Sequence, residues 1–142
     1  MRFHSPRFGG IEVDEEKILR FRHGLPGFPD CTGFIVMDHD QDTPLKWLQC
    51  VDRPEVAFLV VEPEQVLASY EVEVPPRVLD TLEWEKHDDP RDIAVFVILN
   101  VQEDSLTANL RAPVIVNIRK RLAFQMIQDS PEAPLQQRIA PS

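Results

Sequence analysis

The groups of this chain that can ligate a metal, carry a proton or act as a nucleophile are four histidines, two cysteines, a few serines and 24 acidic side chains. Their spacing supports little of that chemistry. Cys31 and Cys50 form no CxxC pair and read as free, structural thiols of a reducing compartment. Asp38-His-Asp40-Gln-Asp42 puts acids at alternate positions, as a calcium loop does. Thr43 stands where that loop needs glycine, and Gln49 where it needs a bidentate Glu, so an acidic turn between strands is expected. His87-Asp88-Asp89, followed by Pro90, is expected to be a solvated turn, and His4, His23 and His39 show neither HxH nor HxxxH spacing. The glycines write no P-loop or GxGxxG, and no serine sits in a nucleophile elbow. The residues make no positive case for an enzyme, a metal or a cofactor.

The elements that would position these groups are mostly strands. Thirteen prolines interrupt nearly every window of helical length. Apolar segments are short, rich in β-branched and aromatic residues, and bounded by Pro, Gly and Asp. Strands are expected at Gly10–Val13, Lys17–Phe21, Gly33–Asp38, Lys46–Val51, Ala57–Glu62, Tyr70–Val74, Asp92–Asn100, Thr107–Leu110, Val114–Ile118 and Ala123–Gln128. Tyr70–Val74 alternates and should have one wet face, whereas Ala57–Val61 and Ile93–Leu99 are apolar throughout and should be buried on both faces. A helix of two or three turns is expected after Pro75-Pro76, where Val78, Leu79 and Leu82 recur at helical spacing. The fold class is therefore all-β: a small antiparallel β-barrel-like domain with one short helix, spanning residues 1–129, and a disordered tail over 130–142. The longest apolar run, Ile93–Leu99, falls far short of the about 20 residues of a membrane helix, and the N-terminus has no secretory h-region.

Three segments place special residues in turns. In Phe21-Arg-His-Gly-Leu-Pro-Gly-Phe28, Gly24 and Gly27 permit positive φ and Pro26 sets the turn between them; Leu25 and Phe28 either plug the interior or form a contact surface. In Trp47-Leu-Gln-Cys-Val-Asp-Arg-Pro-Glu-Val-Ala-Phe58, a tight turn at Asp52–Glu55 joins two strands, with Trp47 and Gln49 on one face and Leu48 and Cys50 on the other. In Thr107-Ala-Asn-Leu-Arg-Ala-Pro-Val-Ile-Val-Asn117, Pro113 points to an edge strand or bulge, a natural docking place.

The charge is uneven. The net charge is −9, and residues 62–104 alone hold 12 acids against 3 bases. Such a surface disfavours direct nucleic-acid binding and attracts basic partners. Arg119-Lys120-Arg121 is too short for a nucleic-acid patch and reads as a solvated strand end or turn.

The ordered motifs FxxGLPGF, WLQxVxxPxxAF and TANLxAPxxxN, followed by Gln125, resemble the flagellar assembly factor family FliW from about Phe3 to Asp129. Arg22 stands where that family usually has Pro, Cys50 where it has Ser, and Arg111 where Leu is common. The resemblance implies a non-enzymatic cytoplasmic regulator, without cofactor. Such a protein binds the translational repressor CsrA and antagonises its RNA binding, and binds flagellin before export. A switch between these partners then couples flagellin synthesis to secretion. An export chaperone without a regulatory role, or a small-ligand-binding barrel, are the alternatives. The expected partner-binding residues are Gly24, Leu25, Pro26, Gly27 and Phe28 of the first motif; Trp47, Gln49 and Asp52 of the second; and Thr107, Asn109, Leu110, Pro113 and Asn117 of the third. With no heptad and no long apolar stripe, a monomer is expected.

Overall fold

A computed structural model describes residues 2–6, 8–38, 42–67, 72–103, 105–128 and 137–138. Their strands are β1 (Arg2–Ser5), β2 (Gly9–Glu12), β3 (Leu19–Arg20), β4 (Gly33–Asp38), β5 (Lys46–Cys50), β6 (Ala57–Val61), β7 (Ile93–Gln102), β8 (Ser105–Ala108), β9 (Val114–Asn117), β10 (Leu122–Gln125) and β11 (Gln137–Arg138). One helix, α1 (Pro76–Thr81), follows the proline pair. The architecture is the all-β, barrel-like one that the alternating short apolar runs imply.

The barrel runs β7-β6-β5-β4-β3-β10-β9 and closes because β7 pairs with β9 as well as β6. β7 changes neighbours along its length: Ile93–Phe96 face β9, Val97 and Ile98 face β6, and Leu99–Gln102 face β8. Most pairs are antiparallel, but β10 meets β3 in parallel through the single pair Leu122–Arg20, tied by the Arg20 N–H to the Arg121 carbonyl at 2.8 Å. The barrel is filled by Phe21, Phe34, Leu48, Val60, Val114 and their neighbours, with Phe21 and Phe34 packed edge to face at 5.0 Å.

Three further apolar clusters coat the barrel from outside. The β1–β2 hairpin lays Phe3 and Val13 on Ile35, α1 lays Val78 and Leu82 on Ile115, and β8 with the segment after β6 covers Leu59, Val61 and Val97. This outer layer explains the continuous apolar runs of β6 and β7, which meet the interior with one face and a satellite cluster with the other.

Several expectations are corrected. Lys17 belongs to a 3-10 turn, Glu15–Lys17, because the Asp14 carboxylate accepts the Glu16 N–H at 3.0 Å and ends the extended chain before β3. Val72–Val74 form no strand, and Val72 and Val74 still pack on the α1 cluster while Glu73 stays exposed. Tyr70 and Glu71, and residues 39–41 of the acidic turn, lie outside the described residues. So does most of the tail, of which Gln137–Arg138 pairs with Ala108 and Thr107. α1 is shorter than expected. Glu83, at φ 55°, ends it in a Schellman arrangement with Trp84 N–H on the Leu79 carbonyl and Glu83 N–H on that of Asp80.

α1 is anchored to the barrel by Asn117, which is buried and donates from Nδ2 to the Leu82 carbonyl at 2.8 Å. Asn117→Ala leaves that carbonyl buried and unmet, and should lower the unfolding free energy by about 1–3 kcal/mol in denaturant titration. An unchanged midpoint would contradict the anchoring role.

Candidate functional site

The FxxGLPGF motif folds as a tight loop stitched by its own backbone. Phe28 N–H donates to the Leu25 carbonyl at 2.7 Å, and Gly24 N–H to that of Phe21 at 2.9 Å. Gly24 and Gly27 both take positive φ, +67° and +86°. A Cβ on Gly24 would sit 2.5 Å from the Phe28 carbonyl oxygen, whereas one on Gly27 would meet nothing. The two apolar residues both pack inward. Leu25 is a buried plug, Phe28 is half-buried and edge to face with Phe58 at 5.4 Å, and Pro26 and Gly27 form the exposed tip.

The second motif supplies the frame that holds this loop. Gln49 points outward from the barrel yet is wholly buried, because Ser5 of β1 covers it and donates to its Oε1. Its Nε2 spans the hairpin turn to the carbonyls of Cys50, Pro54 and Val56. The Asp52 carboxylate accepts the N–H groups of Thr32 and Gly33 at 3.0 and 2.8 Å, fixing the exit of the loop. Arg53 bridges Asp30 of that exit (3.6 Å) and Glu55 (2.9 Å). The hydrogen bond from Arg53 to Glu55, then the charge of Asp30, raises the guanidinium pKa; the Glu55 carboxyl is lowered by its own backbone N–H and then by Arg53. Trp47 is half-buried against Phe8, ring centroids 6.0 Å apart. Cys31 and Cys50 are free and buried side by side in the core. Burial, reinforced by a hydrogen bond to Cys50, pushes the Cys31 thiol up to about 12.

The third motif is corrected in its topology. Pro113 does not mark an open edge: it sits just before β9, where no ladder needs its missing N–H, and its carbonyl accepts Met126 N–H at 3.0 Å. β9 is paired on both sides, by β7 and β10, and β8 lies between β7 and β11. Leu110, Pro113 and Asn117 are buried and Thr107 is half-buried. The buried side chains of Leu25, Gln49, Leu110 and Asn117 build the scaffold.

What these motifs bring together is a groove of about 340 Å³. Leu25 and Pro26 of the first motif, Phe58, Ile98 and Ala112 give it an apolar floor. Asn109, Arg111 and Gln125 supply its polar groups, and Ile127, 66% exposed, stands at its margin. Gln125 is held by the Ala112 carbonyl at 3.0 Å, while the Asn109 Oδ1 is buried without a hydrogen-bond partner among the described residues. Phe58, Ile98 and Ile127 were not among the expected site residues, because nothing local shows that β6, β7 and the segment after β10 converge on one loop. Of the expected partner-binding residues, Leu25, Pro26 and Asn109 line the groove and the other ten are not among its described lining.

Among the described residues, Glu85, His87 and Asp88 form a cluster with metal-ligand geometry, their ligating atoms within 4.8 Å of one another. Asp88 is buried rather than solvated as expected: it accepts the Glu85 N–H at 2.8 Å and faces Arg119 at 3.7 Å, so its carboxylate is already engaged. Arg119 and Lys120 lie in the β9–β10 turn, with Lys120 reaching the Glu83 carbonyl at 2.5 Å. Both are thus spent on the acidic corner around α1. Nearby, Arg91 lowers the pKa of Asp89 first through its side chain and then its N–H. Among the described residues, the groove is lined by apolar side chains, two amides and Arg111.

A family model described as FliW protein matches residues 2–139. The chain belongs to the FliW family. The flagellar assembly factor FliW of Desulfitobacterium hafniense is 36% identical over 143 residues, 99% of this chain and 92% of that protein. That of Caldicellulosiruptor saccharolyticus is 36% identical over 130 residues, covering 90% and 83%. A crystal structure of the flagellar assembly factor FliW superposes with a TM-score of 0.90 at 33% identity, covering 99% and 98% of the two chains.

Two substitutions separate strain from crowding in the loop that this FliW fold carries. Gly27→Ala should cost only the positive-φ penalty, about 1–2 kcal/mol, and Gly24→Ala should cost about 1–3 kcal/mol more through overpacking. Equal losses in denaturant titration would contradict the close approach of Phe28. The raised Cys31 pKa has a defined sign. The unfolded thiol titrates near 9.0, so its contribution is complete below that pH and is lost as pH climbs toward about 12. Comparing stability at about pH 8 and about pH 11, Cys31→Ala should show a shallower fall than the parent chain; parallel falls would contradict the assignment.

Proposed function

We propose that this protein is a cytoplasmic flagellar assembly factor that acts by binding, not catalysis. It takes flagellin awaiting export and, when flagellin leaves, binds CsrA and opposes its hold on RNA. The family membership carries this reading, together with a groove built from the family's own motifs. An unassembled flagellin exposes apolar helical surface, and the floor of Leu25, Phe58 and Ile98 is suited to cover such a surface. Exposed Glu62, Glu64, Glu73 and Glu103 belong to the acidic segment 62–104, which repels phosphate held by an RNA-binding partner. The switch requires the two partners to exclude or weaken one another; a coupling of about 1–3 kcal/mol gives about 5–150-fold.

Calorimetric titration of the purified chain with CsrA and with flagellin tests the reading. Both should bind at micromolar concentration or tighter, and flagellin should release CsrA. Failure of both to bind overturns it. Flagellin binding with no effect on CsrA favours the export chaperone instead. Reversing Glu62, Glu64 and Glu73 to Lys should preserve folding and weaken displacement of RNA from CsrA. Undiminished displacement removes the electrostatic part.

A further inference from the structure

The barrel wall is open along part of β4. β3 covers only Gly33 and Phe34, because the chain before it turns away through Glu15–Lys17. Beyond that point β4 is paired with β5 on one side and, among the described residues, with no strand on the other. The alternation of the ladder fixes which backbone groups are left. Val51 N–H donates to the Gly33 carbonyl, so Gly33, Ile35 and Met37 turn toward β5, and Val36 and Asp38 direct their N–H and C=O groups away from it.

A cavity of about 630 Å³ lies along this edge. Both faces of β4 line it, Val36 from the interior side and Ile35 and Met37 from the outer side, with Phe96 and Ile118 opposite. Val36 and Ile118, 37% and 48% exposed, are two of the four large apolar side chains exposed among the described residues. The rim carries charge of both signs, Glu12 and Asp14 lining it together with Lys17, Lys46 and Arg121. Lys46 is already paired with Asp38 at 2.7 Å. Arg121 lines the cavity with its Nη1 buried and without a hydrogen-bond partner among the described residues, and no ion pair engages Lys17 among them. An unmet guanidinium donor beside an apolar slot favours an acceptor arriving with the occupant.

We propose that this slot binds an extended apolar peptide segment carrying an acidic side chain, which adds as a strand to the open edge of β4 and places its carboxylate at Arg121 and Lys17. Backbone groups at Val36 and Asp38 supply affinity, and the pockets around Val36 and Ile118 read alternate side chains. A lipid offers no backbone to match the edge. This surface is separate from the groove at Leu25–Phe58, and the proposal stands whether or not that groove takes flagellin.

The probe is a fluorescein-labelled octapeptide, Gly-Ser-Thr-Val-Ile-Val-Glu-Val, titrated against the full chain by fluorescence anisotropy, with hydrogen exchange followed by NMR. Saturable binding is expected, with new protection of the Val36 and Asp38 amides. Replacing the peptide Glu by Gln, or Arg121→Gln in the protein, should each weaken binding by about fivefold or more, and the two together no further than either alone. Gln at 121 keeps the positive φ of Arg121 no more strained than before, and unchanged exchange at β7 certifies the fold. Ile127→Glu, in the other groove, should leave the affinity unchanged. No saturation up to about 1 mM peptide, against the millimolar limit of weak specific binding, overturns the proposal. So does binding indifferent to Arg121, binding without protection at Val36, or self-association of the chain through this edge.

Discussion

The structure depends on one strand satisfying three neighbours in succession. β7 pairs with β9, then β6, then β8 within ten residues, and each handover leaves no stretch of its backbone without a partner strand. Closing a sheet this way pairs most of the edges that make isolated β-structure prone to association, leaving, among the described residues, the stretch of β4 beyond Phe34. It also demands apolar residues on both faces: Ala94, Phe96 and Ile98 enter the barrel, Ile93 and Val95 meet the α1 cluster, and Val97 and Leu99 meet the β8 cluster. The same strand contributes Ile98 to one cavity and Ala94 and Phe96 to the other, so both candidate surfaces are set by its path.

Polar side chains, Gln49 and Asn117 buried and Asp52 exposed, convert that closed sheet into a platform for loops. Gln49 holds the hairpin turn, Asp52 holds the exit of the Gly24–Phe28 loop, and Asn117 holds α1. Each satisfies backbone groups that a loop would otherwise leave unmet inside the protein. A loop fixed in this way presents Pro26 and the groove behind it without an ordering cost at the moment of binding. In this motif one side chain serves two places: Leu25 plugs the core and, with Pro26, also lines the groove.

Much of this was legible in the residues. Gly33–Asp38 reads as a strand from its apolar run and its bounding Gly and Asp, and it is β4 without change. The proline pair predicts α1, though not the Glu83 turn that shortens it, since a non-glycine left-handed residue leaves no mark in composition. Arg2–Ser5 escaped notice as β1 because its burial comes from a hairpin closed on the outer face of β4, a tertiary contact. The Thr107–Asn117 segment was read as an edge because Pro113 interrupts it. The proline instead separates two strands, and among the described residues the unpaired stretch lies on β4 beyond Phe34, where β3 ends. The two grooves were illegible for the same reason: Phe58, Ile98 and Ile127, or Val36 and Ile118, become neighbours only when the sheet curls.

Native-state hydrogen exchange along β7 tests the central claim most directly. If this strand is the closure on which the barrel rests, its amides from Ala94 to Leu99 exchange only through global unfolding, with one common free energy that tracks denaturant stability. Should the half facing β9 open at a lower free energy while the half facing β6 stays protected, the barrel does not depend on β7 and the account is contradicted.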